Sequence, residues 1–501
     1  MSESRPRLSA FELVETVVDD GSFRSWDTPP DRTGVDADYA RQLDAAAERS
    51  GTDESVITGE GLIRGRRVAI AACEFRFLAG SIGRAAAGRL TVAIERATRE
   101  GIPLLAAPAS GGTRMQEGTP AFVQMVTICG AVIRHKAAGL PYLVYLRHPT
   151  TGGVLASWGS LGHLTIAEPG ALLGFLGPRV YEALSGEAFP EGVQTAENLY
   201  AHGLVDSVVA PEKLPDVLDR ALTVLTAGRP TPSPEPVFEQ PAAVDAWESI
   251  LRTRAPERPG VREFLDFAAM DVIPLNGTGV GEADPGVLLA LARFEGASCV
   301  VLGQDRRGQS EGRPLGPGSL RVARRGMQLA SQLQLPLVNV IDTPGAALSV
   351  AAEEGGLAAE IARCLADLMA LEAPSLTILL GQGCGGAALA MLPANRVIAA
   401  QHAWLSPLPP EGASVIVHRT TDRADEMARR QGVRAADLLA AGIVDKVVPE
   451  RPDAAQEPKE FCRRLGLAVR HELGLLGTSR EPYRAQRLRR YDRLNAVIRA
   501  D

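Results

Sequence analysis

Pro141-Tyr142-Leu143-Val144-Tyr145-Leu146-Arg147-His148-Pro149-Thr150-Thr151-Gly152-Gly153-Val154-Leu155-Ala156-Ser157 reads as a strand, a turn and a helix in succession. The apolar run suits a buried strand, the Gly-Gly pair a turn, and the small residues after it a tightly packed helix. Such a junction aims the unbonded N–H groups of a helix start at one point, where they attract anionic oxygen. Glycine, lacking Cβ, lets a ligand approach the backbone closely. One such pair would equally serve a plain tight turn, so the reading depends on whether the design recurs.

It recurs. Pro374-Ser375-Leu376-Thr377-Ile378-Leu379-Leu380-Gly381-Gln382-Gly383-Cys384-Gly385-Gly386-Ala387-Ala388-Leu389-Ala390 has the same plan, and both Pro141 to Pro374 and Gly152 to Gly385 span 233 positions. Pro103 to Pro336 repeats that offset, and Val68 maps onto Val301 by it. Gly203-Leu204-Val205-Asp206 answers Gly442-Ile443-Val444-Asp445 at 239, as an insertion of about six residues in the second half would produce. The repeat predicts two copies of one fold, each with a Gly-Gly helix start.

The chain has 501 residues, 45% hydrophobic and 23% charged, with a net charge of −7 and a pI near 5.7. That is room for more than one full core. The acidic balance disfavours nucleic acid or an anionic membrane as partner. None of Cys73, Cys129, Cys299, Cys364, Cys384 and Cys462 lies in a C-x-x-C spacing, so no metal site is expected. Scattered thiols, a polar Met1–Asp20 stretch and the lack of a long apolar run predict a cytoplasmic protein without a membrane span.

Strand and helix signals alternate along both halves, which predicts α/β units with parallel pairing and right-handed crossovers. Active sites of such sheets lie at the carboxyl ends of strands, where both Gly-Gly turns fall. Gly228 to Pro241 holds five prolines and reads as an extended linker, placing the boundary between domains at 1–235 and 236–501. The Arg-rich tail, Arg480–Arg499, reads as a solvated helix or an oligomer contact.

Further candidates stand at strand ends. Gly111-Gly112 reads as another anion cradle, with Arg114 either on a phosphate or paired with Glu117 or a neighbouring carboxylate. Asp342 is a candidate base or, more simply, a helix cap. His148 is the most tempting base, against a plain loop or core histidine. Cys384 reads as a small packing residue, because no Cys/His/Asn order accompanies it. The chain thus offers two backbone oxyanion cradles and no acid–base pair. That points to chemistry in which N–H donors stabilise an enolate-like charge and the substrates supply the proton transfer.

These residues resemble the carboxyltransferase component of biotin-dependent acyl-CoA carboxylases, a crotonase (ClpP-like) family. Residues 110–118, 149–154, 166–180 and 203–206 are similar to the β subunit of bacterial acetyl-CoA carboxylase; 342–346, 352–355 and 385–390 are similar to the α subunit. The resemblance implies two tandem crotonase-like domains of β-β-α superhelix type. Acyl-CoA would bind the first and carboxybiotin, on a separate carrier protein, the second. It implies a biotin carboxylase and a biotin carboxyl carrier protein as partners, and a homo-oligomer, dimer or hexamer.

By this resemblance Gly152 and Gly153 hold the thioester enolate oxygen, and Gly385, Gly386 and Ala387 the ureido oxygen of biotin. Gly111, Gly112, Arg114 and Leu389 fall on the substrate side, Leu389 at an acyl-pocket position where leucine suits a short acyl group. Acetyl-CoA to malonyl-CoA is the expected reaction, with propionyl-CoA as a further substrate. The four-cysteine zinc ribbon of the bacterial β subunit has no counterpart here. A biotin-independent malonyl-thioester decarboxylase and a non-catalytic carboxylase subunit are the competing readings.

Overall fold

Each half of the chain contributes a tight hairpin to its sheet. Val56–Ile63 and Arg66–Cys73 pair antiparallel around Arg64 and Gly65, whose φ values are 48° and 78°. Val287–Phe294 and Ala297–Gln304 do the same around Glu295 and Gly296, at 42° and 89°. Two successive positive φ values give the two-residue turn whose twist matches that of paired strands. The computed structural model, which describes residues 7–239, 243–309 and 313–498, divides into two compact units. Residues 1–226 with 279–281 form the first, and 227–278 with 282–501 the second.

After its hairpin each unit adds parallel strands. In the first, Leu104–Ala107, Tyr142–Leu146, Leu164–Ala167 and Ser207–Val208 follow in sheet order. In the second, the order is Leu337–Thr343, Ser375–Cys384, Arg396–Ala400 and Lys446–Val448. Leu104–Ala107 and Tyr142–Leu146 are buried at every position, as strands covered on both faces must be. Helix Arg84–Glu100 buries Ala86, Ala87, Leu90, Ala93, Ile94 and Ala97 at helical spacing and ends at Gly101, φ 67°. Leu90 and Ile94 each contribute about 1.5–3 kcal/mol by leaving water. The predicted α/β tandem repeat therefore forms.

Sheet register makes the repeat exact to the residue in most places. Leu104 stands beside Tyr142 and Leu337 beside Ser375, which preserves the 233 offset. Ser207 beside Ile166 answers Lys446 beside Ile398: Ser207 to Lys446 keeps the 239 offset, while Ile166 to Ile398 runs at 232. The Gly-Leu-Val-Asp repeat has a physical purpose. The Asp206 carboxylate accepts the Thr165 N–H at 2.8 Å, and the Asp445 carboxylate accepts the Val397 N–H at 2.7 Å. Each aspartate pins the same strand of its own unit.

The register corrects one pairing. Ala69 stands beside Leu104, but Val300 stands beside Leu337, so Val68 answers Cys299 and not Val301. The hairpins are offset by 231, and residues 305–316 run two residues longer than their counterpart 74–83 before the next helix. Apolar residues fill both strands, so neighbouring registers look alike in sequence.

The proline-rich stretch is also corrected. Thr231 O accepts from Arg470 Nη1 at 2.7 Å, and Ser233 O from His471 Nδ1 at 2.9 Å. A Cβ on Gly477 would stand 2.1 Å from Pro230 O. The stretch is thus a strap laid on helix Pro458–Gly477 of the second unit, not a free linker. Gln240 and Pro241 lie outside the described residues.

The tail forms helix Tyr483–Ile498, and it is not simply solvated. Arg487 is fully buried and donates to Leu371 O and Ala373 O, at the carboxyl end of helix Leu357–Ala370. Arg490 donates to Asp445 at 2.7 Å. Arg499 lies outside the described residues.

Candidate functional site: two glycine cradles

The first cradle is built by what precedes it. Thr150 is buried, its hydroxyl donates to Pro108 O at 2.9 Å and its N–H to Leu172 O at 2.9 Å. Thr151 N–H donates to Ser110 O at 2.9 Å. The chain then turns through Gly152, φ 63°, into the short helix Gly152–Leu155. The first N–H groups of a helix have no partner inside it. Gly152 N–H donates to Phe175 O at 3.0 Å. Gly153 N–H is the next donor of that first turn.

Gly111 and Gly112 form the opposite wall. A Cβ on Gly152 would stand 3.3 Å from Gly111 O, and a Cβ on Gly112, φ 107°, would stand 3.4 Å from Gly153 N. Their own N–H groups are occupied: Gly111 donates to Ala79 O at 2.9 Å and Gly112 to Ser110 Oγ at 3.0 Å. The expected additional anion cradle is therefore replaced by a packing surface that lets two backbone segments touch.

Of the two readings of Arg114, the structure takes the neighbouring carboxylate. Its side chain is 1% exposed and forms a two-pronged pair with buried Glu54, one prong at 3.0 Å. Arg114 Nη2 also donates to Ser81 O at 2.7 Å and to Ser55 Oγ at 3.0 Å, and Glu117 lies 3.6 Å away. The guanidinium is spent inside the unit, on a neighbouring carboxylate and not on a phosphate. Glu54 lies 60 positions before Arg114, so no local spacing announces it.

The second cradle repeats the geometry. Strand Ser375–Cys384 passes through Gly385, φ 64°, into helix Gly385–Leu389. Gly386 and Ala387 sit in its first turn, where N–H groups lack helical acceptors. Ala387 is fully buried, and its carbonyl accepts from Gln304 Nε2 at 2.8 Å. Leu389 is 46% exposed. Each cradle also has a short parallel pairing of its own: Thr150–Thr151 with Leu173–Gly174 as a separate two-stranded sheet, and Gln382–Cys384 with Trp404–Ser406 as a branch of the main sheet of the second unit.

The candidate bases have other tasks. His148 Nδ1 accepts the Leu172 N–H at 3.0 Å, and burial, followed by the charge of Arg7, pushes its pKa down to about 4. A ring that is neutral and already bonded is a loop fastener. Asp342 caps no helix. Its Oδ1 accepts the Gln382 N–H at 3.0 Å, and burial raises its pKa while Arg306, 3.3 Å away, opposes the shift. A Cβ on Gly381 would stand 2.5 Å from that Oδ1, so glycine there makes room for the carboxylate. Burial lifts the Cys384 thiol to about 11, which keeps it un-ionised and out of nucleophilic chemistry. Among the described residues no cluster could hold a metal ion, and no helix is long and apolar enough to cross a membrane.

The sequence reading missed Gln304, a buried amide closing an otherwise apolar strand; a polar residue in that position was its one signal. It also missed Phe175, which acts through its carbonyl and leaves no side-chain signature.

Comparison with known proteins adds four findings. The carboxyl transferase domain family matches residues 2–484. A probable biotin-dependent acyl-coenzyme A carboxylase beta3 subunit of Mycobacterium tuberculosis is 60% identical over 490 residues, spanning 97% of this chain and 99% of that protein. The acetyl-coenzyme A carboxylase carboxyl transferase subunits beta/alpha of Salinispora arenicola are 36% identical over 518 residues, spanning 98% and 91%. Among solved structures, the transcarboxylase 12S crystal structure has the same fold, with a TM-score of 0.72 at 22% identity over 92% of this chain and 90% of that one.

Proposed function

Because the chain belongs to the carboxyl transferase family, we propose that it is the carboxyltransferase subunit of a biotin-dependent acyl-CoA carboxylase. It moves CO2 from carboxybiotin on a separate carrier protein to the α-carbon of a short acyl-CoA, with acetyl-CoA to malonyl-CoA as the first candidate and propionyl-CoA as the second. The observation that carries this reading is the recurrence of one glycine cradle in both units, in one register.

The residues fit both groups. Gly153 N–H faces a developing oxyanion with a donor already oriented, as a thioester enolate oxygen requires. Gly386 and Ala387 offer the same to a ureido oxygen. Bound biotin supplies the CO2 and the proton acceptor, so the chain needs no base of its own. That agrees with His148 and Asp342 being engaged elsewhere. Acyl-CoA is assigned to the first unit, residues 1–235 in the sequence-based division, and carboxybiotin to the second. A biotin carboxylase and a biotin carboxyl carrier protein complete the system.

Assembly follows from the same repeat. Met115 and Leu348 are exposed at equivalent positions, and so are Leu184 and Ile416. Apolar rims on both units suit a contact with another copy of the chain, and two-fold closure satisfies both at once. The transcarboxylase 12S structure is described as a hexamer assembly.

The test is fixation of 14C-bicarbonate onto a panel of acyl-CoAs, with ATP, a biotin carboxylase and a biotinylated carrier. The expected result is label in a short carboxyacyl-CoA only when all components are present. Malonyl-CoA decarboxylation without any biotin protein would instead favour the decarboxylase, and failure to bind any acyl-CoA the non-catalytic subunit.

A further inference from the structure

The two cradles differ underneath. Gln304 and Asp342 are buried below the second one, at 0% and 1% exposure. By the 231 offset of the hairpins and the 233 offset of the following strands, the first unit has Cys73 and Ala109 at those positions, both buried. The fold therefore closes well without either polar group. Burying an amide or a carboxyl costs free energy unless each polar atom is bonded. A polar pair kept in one copy only has a use that the fold does not explain.

The bonds say what that use is. Gln304 Nε2 donates to Ala387 O at 2.8 Å, and Gln304 Oε1 accepts the Asp342 N–H at 3.1 Å. A carbonyl on one side and an N–H on the other fix which way the amide points. Asp342 is itself anchored. Its Oδ1 accepts the Gln382 N–H, its backbone carbonyl accepts from Gln309 Nε2 at 3.2 Å, and Gln309 Oε1 accepts the Thr343 hydroxyl at 2.6 Å. Among the described residues, Gln304 is the side chain that hydrogen-bonds both this anchored strand end and the first turn of helix Gly385–Leu389.

We propose that Gln304 is a positioning residue for the second cradle: its amide clamps Ala387 so that the Gly386 and Ala387 N–H groups hold one direction. This rests on the second cradle being the biotin-side oxyanion hole. A helix of five residues has little internal hydrogen bonding to hold its own axis, so the orientation of its first turn comes from outside. Preorganised donors act only if they need not reorient when charge develops.

The experiment compares wild type with Gln304→Met and Gln304→Glu. Methionine keeps the length and removes both bonds; glutamate keeps the acceptor for Asp342 N–H and loses the donor to Ala387 O. Free biotin is the CO2 acceptor, and malonyl-CoA and methylmalonyl-CoA are the donors. Both variants are expected to lose about tenfold or more in kcat and in kcat/KM for biotin, with KM for the CoA thioester changed by less than about twofold. Hydrogen exchange is read in parallel on peptides covering 385–390 and 152–156; only the former is expected to exchange faster in the variants.

Wild-type kcat in Gln304→Met overturns the proposal, and so does an equal rise of both KM values with a general loss of melting temperature. If wild type itself transfers no CO2 between either thioester and biotin, the functional reading fails. The exchange measurement then still decides the clamp, because unchanged exchange at 385–390 overturns it.

Discussion

A Cβ placed on Gly152 would stand 3.4 Å from the Cα of Gly112. The two Gly-Gly pairs therefore meet through Gly112 and Gly152: a Cβ on either would press on the backbone of the other pair. Gly152 is constrained twice, since its φ of 63° disfavours any side chain. The glycine pair that reads as a ligand cradle is also a packing joint, which changes how it can be tested.

Gly152→Ala is expected to destabilise the first unit by about 1–3 kcal/mol, from the left-handed backbone and the approach to Gly111 and Gly112. Melting should fall by several degrees, and activity with it. Gly153→Ala has no such backbone penalty, and its Cβ would meet Thr113 Oγ1 at 3.3 Å. It should melt close to wild type. A Gly152→Ala protein as stable as wild type would show that the joint is not constrained.

Arg114→Met is expected to cost about 3–5 kcal/mol, the scale for stranding one partner of a buried ion pair, here Glu54. The double variant Arg114→Met/Glu54→Met should recover much of it. Chemical denaturation measures both. A folded Arg114→Met protein of normal stability whose KM for acyl-CoA rises steeply would return Arg114 to the phosphate role.

His148 makes stability depend on pH. Its pKa in the fold, about 4, lies below the ordinary histidine value near 6.5, so the unfolded chain binds the proton more readily. Its contribution is fully present above about pH 6.5 and is lost as pH falls toward 4. His148→Gln keeps an acceptor for the Leu172 N–H and does not titrate. Melting curves from pH 7.5 to 4.5 should fall less steeply for this variant than for wild type; identical slopes would remove His148 from the account.

Leu348→Lys, at an exposed position, should leave each unit folded and weaken assembly. Light scattering is expected to show a dimer or larger for wild type and a shift toward smaller species for the variant, with transfer activity falling in step. A variant that stays fully active as a monomer would contradict the link between assembly and transfer.

Carboxylation by this chain alone is not expected. No Ala-Met-Lys-Met biotinylation turn occurs, nor a glycine-rich phosphate loop carrying a lysine. Purified protein with ATP, bicarbonate and acyl-CoA should form no product until a biotin carboxylase and a biotinylated carrier are added. Intact mass should show no covalent biotin.

The alternation of strands and helices was legible because burial imposes a period on the sequence. Tyr142–Leu146 is apolar throughout since both faces are covered, and Leu90, Ala93, Ile94 and Ala97 repeat at helical spacing since one face is. The tandem design was legible because Gly152 and Gly385 need the same left-handed backbone, which glycine alone adopts readily. Asp206 and Asp445 recur for an equally local reason: each bonds the strand beside it.

Tertiary structure decided which groups are spent and which remain free. Nothing near Arg114 in sequence tells that Glu54 claims it, nothing near Gly152 that Phe175 O takes its N–H, and nothing near Ala387 that Gln304 holds its carbonyl. Hydrogen-bond partners separated by 60 or 83 positions carry no periodic signal; they are chosen when close packing brings one donor and one acceptor together and water is excluded. Sequence determined where the two cradles are. The packed fold determined which of their polar groups are already bonded, because donors and acceptors far apart in sequence meet only when the chain is packed.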